Sequence, residues 1–149
     1  MENTPAVKWL AAPQDHDYPA AAAYLSLTAD DVQVADIMAR LKTAATTQQK
    51  AKDIMRASRL ELLAKDDFHV ADDLAKIAKG EALSPILLVR GDLNVDVPLV
   101  IADGFHRVCA SYYTDVNTDI PCRIVPAVKP PKTAPKRAAS AKRAEGKKK

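Results

Sequence analysis

A chain that carries P-L-V-I-A-D-G-F-H-R-V-C-A-S at Pro98–Ser111 has to bury a strand, reverse sharply and enter a helix within fourteen residues. Leu99–Ala102 reads as the strand, Asp103-Gly104 as the turn and Phe105 as the start of the helix. Glycine suits a backbone position that turns sharply or is approached closely. Asp103 is expected to cap the helix by accepting a hydrogen bond from one of its unpaired amides. Those amides and the helix dipole make a first turn attractive to an anion. His106 and Arg107 fall in that turn.

The rest of the chain has to supply the core around this unit. Apolar residues make up 48% of the 149 and cluster almost entirely before residue 126, which suits one domain followed by a tail. The net charge of +3 conceals an asymmetry. Residues 126–149 hold nine Lys or Arg against one acid, a net +8, whereas the first 125 residues hold 13 basic and 18 acidic side chains, a net −5. The basic character thus belongs to the tail and not to the domain. Cys109 and Cys122 are too few for a disulfide framework and read as small buried hydrophobes. No apolar run reaches the ~20 residues of a membrane helix, and no basic segment followed by an apolar core marks a secretory signal, so a cytoplasmic location is expected.

Taken in order, residues 1–17 read as loop. The Asp15–His16–Asp17 triplet has diverging side chains and no second ligand cluster, so no metal is expected there. A short helix is expected over 18–27, entered at Pro19. A second opens at Thr28, with Thr28-x-x-Asp31 as a capping box and Val34, Ile37, Met38 and Leu41 on one face. A third, after Thr46-Thr47, turns Ala51, Ile54 and Met55 inward and Lys50, Lys52, Arg56 and Arg59 outward. Two such helices raise the DNA-binding helix-turn-helix, but without its turn glycine and spacing a helical cap with a solvated basic face fits better.

Arg59–Leu63 suits a first strand, Asp66 or Asp67 the cap of a helix over 68–79, and Gly80 its stop. The continuous apolar run 83–90 suits a strand buried on both faces. The helix from Phe105 to about Tyr113 shows Phe105, Val108, Cys109 and Tyr112 as its apolar stripe. A last strand near Ile120–Val125 holds Pro121, which points to an edge or a strand start. From Pro126 onward Lys, Ala and Pro dominate with almost no large hydrophobe, so disorder is expected.

The order strand, helix, Gly, Pro-containing strand, strand, D-G-x-H-R, helix, with S-P-I-L-L-V followed by I-A-D-G-F-H-R-V-C-A, resembles the ParB N-terminal domain and the related sulfiredoxin fold. Within that superfamily the chain looks most like small stand-alone ParB-like proteins. The resemblance covers roughly residues 59–125. It implies an α+β fold at 58–125, a small mixed sheet with helices; the residues on either side add a helical extension at 1–57 and a disordered basic tail at 126–149. It also implies a phosphate-recognising turn at Gly104, His106 and Arg107. Sulfiredoxins have Gly-Cys-His-Arg there. Phe105 stands at the place of that cysteine, and Cys109, a turn further on, lies on the buried stripe, so sulfinic-acid reduction is not expected. ParB partition proteins have a Gly-Glu-Arg-Arg type of motif, of which only Arg107 is kept. Too few residues follow for their DNA-binding and dimerisation modules, so a CTP-gated clamp is not expected either.

Arg107 has the fork that grips phosphate, and His106 adds a donor or, near neutral pH, an acid or base. Arg90, at the end of the central strand, is expected to face the same site, because ligands of α/β sheets favour strand carboxyl ends. The tail cations Lys129, Lys132, Lys136, Arg137, Lys142, Arg143, Lys147, Lys148 and Lys149 suit salt-sensitive attachment to nucleic acid, with a solubilising tail as the alternative. Three functions follow. One is a binding module for a phosphate-bearing ligand or nucleotide, a nucleoside triphosphate with Mg²⁺ among the candidates, tethered to nucleic acid by its tail. The second is a nucleotide hydrolase or nuclease using His106, with Arg107. The third is an interaction protein with a vestigial site.

Overall fold

The central strand alternates its side chains between two separate cores, and that alternation sets the architecture. The structure, a computed structural model, describes residues 5–129. In chain order it runs β1 (Lys8–Trp9), α1 (Asp17–Leu25), α2 (Asp31–Thr43), β2 (Thr47–Lys50), α3 (Ala51–Ser58), α4 (Phe68–Ala78), β3 (Ala82–Leu83), β4 (Ile86–Arg90), β5 (Val100–Asp103), α5 (Phe105–Thr114) and β6 (Asp119–Pro126). A 3-10 turn at Leu93–Val95 lies between β4 and β5. The fold is α+β, with five α-helices and mixed sheets among the described residues.

The main sheet has the order β2-β6-β4-β5, with β6 and β4 parallel and the two outer pairs antiparallel. Strands β1 and β3 form a small parallel ladder of their own. Successive residues of a strand point to opposite faces. Ile86 and Leu88 therefore join α3, α4 and α5 in one core, with Ile54, Val70, Ile77 and Val108. Leu87 and Val89 join α1 and α2 in the other, with Leu25, Ile37 and Leu41. The boundary expected at residue 58 falls at the end of α3, and the chain on both sides of it contributes to the main sheet. Among the described residues no helix is long and apolar enough to cross a membrane.

Local details differ from the sequence expectations for physical reasons. Asp30, not Thr28, caps α2, its carboxylate accepting from the Gln33 amide at 2.8 Å, while the Thr28 hydroxyl donates back to α1 at Leu25. Asp67 does cap α4, accepting from His69 and Val70. Arg59–Leu63 is not a strand: Arg59 ends α3 at φ 59°, and the segment runs over the surface as coil with Leu62 and Leu63 packed against the core, held where Tyr113 donates to the Leu63 carbonyl. The strand of this region is instead Thr47–Lys50, an edge strand of four polar residues. Lying between α2 and α3, it also removes the helix-turn-helix. Strand β6 is interior, and Pro121 sits one residue ahead of the point where pairing with β4 begins, at Ile86↔Cys122.

At the other end β6 continues through Pro126, whose carbonyl accepts from Arg40 at 2.8 Å, and the Ala127 carbonyl accepts from Gln33 at 3.1 Å. Lys129 is exposed. The rest of the expected tail, residues 130–149, lies outside the described residues.

Candidate functional site

Strand β5 ends at Asp103, opposite Leu87 of β4, and the chain passes through Gly104 straight into α5. Gly104 has φ +111°, and a Cβ built on it would lie 2.4 Å from Ile86 Cγ2 and 2.9 Å from the Arg107 guanidinium. Glycine is thus required by the turn's own packing. Gly104 is itself the N-cap and no side chain caps the helix. The first intrahelical bond runs from the Val108 amide to the Gly104 carbonyl, so the amides of Phe105, His106 and Arg107 precede the helical ladder.

Asp103 does not cap α5, contrary to expectation. Its carboxylate turns to Arg107, one helical turn on, and accepts from Nη2 at 2.7 Å. A charged guanidinium four residues away outcompetes neutral amides for the carboxylate. Arg107 also lies 3.9 Å from Asp17 and donates weakly to the Pro85 carbonyl at 3.5 Å. Its side chain is only 17% exposed and its Nε is buried without an acceptor. Asp17, 2% exposed at the start of α1, accepts in turn from the Ser84 hydroxyl and the Gln14 amide. One guanidinium therefore serves two carboxylates and ties the start of α1 to the β3–β4 connection and to α5. Burial and, behind it, the neighbouring Asp17 carboxylate push the Asp103 carboxyl above its ordinary range against the pull of Arg107.

A second cluster lies on the α4 side. His106 meets His69 with ring centroids 4.7 Å apart and planes tilted by 45°, and Asp73, one turn after His69, is buried within electrostatic reach of Lys76, Arg107 and His106. Burial raises the Asp73 carboxyl above its ordinary value of 3.8, outweighing the three cations or potential cations that lower it. Neither His69 nor Asp73 was singled out from the sequence, although their i, i+4 spacing on one face of an expected helix was available as a signal.

The sign of the resulting pH dependence is fixed. A carboxyl whose folded pKa is raised holds its proton in the native state after the unfolded chain has released it, so stability falls as pH rises through that window. As pH rises from about 4 towards neutrality, Asp73→Asn should lose less unfolding free energy than the wild type in urea titrations. Equal losses in the two proteins would contradict the placement of Asp73.

The expected site residues separate into three groups. Asp103, Gly104 and His106 line one cleft of about 430 Å³, together with Ala20 and Tyr24 of α1, Leu60, and Ile101, Ala102 and Phe105. Arg107 stands behind it, paired. Arg90 is elsewhere. Strands β4 and β5 are antiparallel, so the end of β4 is remote from the end of β5, and Arg90 lies beside Arg56, Gly91 and Pro98. Cys109 and Cys122 are buried and unpaired to each other, and burial raises both thiols. Compared with family models, curated proteins and solved structures, the chain matches none of them.

Proposed function

We propose that the cleft at the start of α5 binds a small phosphate-bearing ligand, a nucleotide by preference, in a ParB/sulfiredoxin-like module. One observation carries this: the uncapped start of a ten-residue helix opens on a cleft with apolar walls and with His106 at its rim. Free amides and the positive helix end suit a phosphate, and His106 adds a donor. Tyr24, Phe105 and Leu60 offer apolar contact for a base, and Asp103 offers an acceptor for hydroxyl or amino groups.

The hydrolase and nuclease alternative is less well supported. It needs the Arg107 fork on a phosphate, and that fork is occupied at 2.7 Å by Asp103. In the preferred reading Arg107 holds the turn and the helix amides hold the anion. The nucleic-acid tether formed by the tail cations, Lys129 to Lys149, and a cytoplasmic location complete this proposal.

The test is thermal denaturation of the full chain with ATP, CTP, GTP, UTP and inorganic phosphate, each with and without Mg²⁺. A ligand at ten times its Kd stabilises by about 1.4 kcal/mol. At least one nucleotide should do so, and His106→Ala should weaken its binding roughly tenfold, about the loss of one hydrogen bond to a charged group. Ala20→Phe, which fills the cleft from an exposed position on α1, should abolish the response. A wild-type protein indifferent to all five compounds refutes the proposal.

A further inference from the structure

Two further depressions are both walled by Arg56 and Arg59, and the first of them adjoins the cleft at Leu60. The first, about 360 Å³, adds Lys52 and the apolar Met55, Leu60, Leu62 and Tyr112. The second, about 380 Å³, adds Arg90, Pro98 and Leu99. The cleft and the first depression share Leu60, and the two depressions share Arg56 and Arg59, so the three follow one another through common walls.

Lys52, Arg56, Arg59 and Arg90 are all exposed. Arg59 pairs with Asp96. Lys52, Arg56 and Arg90 have no carboxylate within 4.0 Å among the described residues. Asp92 is the acid lining the second depression, and its carboxylate already accepts from the Asn94 amide. In a body with net charge −5, this is a local concentration of unpaired cations set over an apolar floor.

We infer that this groove binds single-stranded nucleic acid, independently of the tail and of the ligand in the α5 cleft. Cations along a groove track a phosphodiester backbone, while an apolar and aromatic floor takes unstacked bases. A duplex hides its bases and would leave the exposed Leu60 and the half-buried Leu62 and Tyr112 uncovered. The apolar floor therefore favours a single strand.

Fluorescence anisotropy of the full chain with a fluorescein-labelled thymidine 20-mer, over a range of NaCl concentrations, tests this. Arg56→Glu with Arg90→Glu should weaken binding at least tenfold at low salt. It should also reduce the slope of log K against log[salt] by about 1.4, two phosphate contacts at about 0.7 each. Arg56→Gln with Arg90→Gln should give a smaller loss in the same direction. Lys8→Glu with Lys79→Glu, equal in charge and outside the groove, should stay within twofold of wild type. Thermal melts close to wild type would show that the exposed substitutions leave the fold intact. An unchanged affinity and slope in the arginine variants would overturn the proposal and leave binding to the tail. So would an equal loss in the lysine pair, or a duplex that competes as well as the single strand.

Discussion

Arg107→Ala is expected to cost about 3 kcal/mol of stability, or about 12 °C in Tm for a domain of this size, with or without ligand. The guanidinium is the cation within 4.0 Å of both Asp103 and Asp17, at 2.7 and 3.9 Å, and Asp17 is 2% exposed. Removing one partner of a buried ionic group leaves charge that water cannot reach, and this costs more than the intact group contributes. The stranded Asp103 carboxyl, already raised by burial, would take up a proton more readily still. The deficit should therefore be largest at neutral pH and shrink as pH falls towards about 4. A neutral replacement of the whole set, Arg107→Met with Asp17→Asn and Asp103→Asn, should recover more than half of the loss. Urea unfolding at two pH values decides the matter. A loss below about 1 kcal/mol, or one independent of pH, would mean that Arg107 is free for a ligand after all. The same reasoning makes Arg107→Ala a poor probe of binding, because it removes the frame along with any contact.

The parts of the fold that could be read in advance are those set by local periodicity. Ile86, Leu87, Leu88 and Val89 are apolar on consecutive positions, which leaves a strand with two covered faces as the economical solution, and both cores do meet on it. The pair Asp66-Asp67 ahead of an apolar helical face narrowed the cap to two residues, and Asp67 is the one that supplies it. Strand β2 was missed because T-Q-Q-K at an edge buries too little to show a period. Asp17 and Ser84 were missed for a different reason. They lie 67 residues apart, and only the packing of α1 against the sheet brings them together.

Arg90 was misplaced by a rule that holds for parallel strands. Here β5 returns antiparallel to β4, so the carboxyl ends of the two point opposite ways. Asp103 illustrates the limit of motif reading in general. An Asp before a helix is a good cap by itself, and what overrides it is an arginine one turn away in the same motif, buried against a second carboxylate. The motif was legible as a unit, but its internal pairing depended on residues far away in the chain.

Gly104→Ala should be about as damaging as the loss of Arg107, near 3 kcal/mol, and for reasons that can be separated. A side chain at φ +111° is strained, which costs of order 1 kcal/mol or more. Its Cβ also meets Ile86 at 2.4 Å and the Arg107 guanidinium at 2.9 Å, which adds an overpacking cost of about 1–3 kcal/mol. Gly80 isolates the first effect: it has φ +76°, but its nearest obstacle is the flexible Lys8 ammonium at 3.5 Å. Gly80→Ala should therefore cost only about 1 kcal/mol. Ile86→Ala isolates the second. Alone it should cost about 2–5 kcal/mol as a core truncation. Combined with Gly104→Ala, the two losses should sum to at least about 1 kcal/mol less than the single effects, because the cavity accepts the new methyl group. Additive losses would show that the turn moves away from Ile86 at little cost. The start of α5 would then be too pliant to hold its amides in place for an anion.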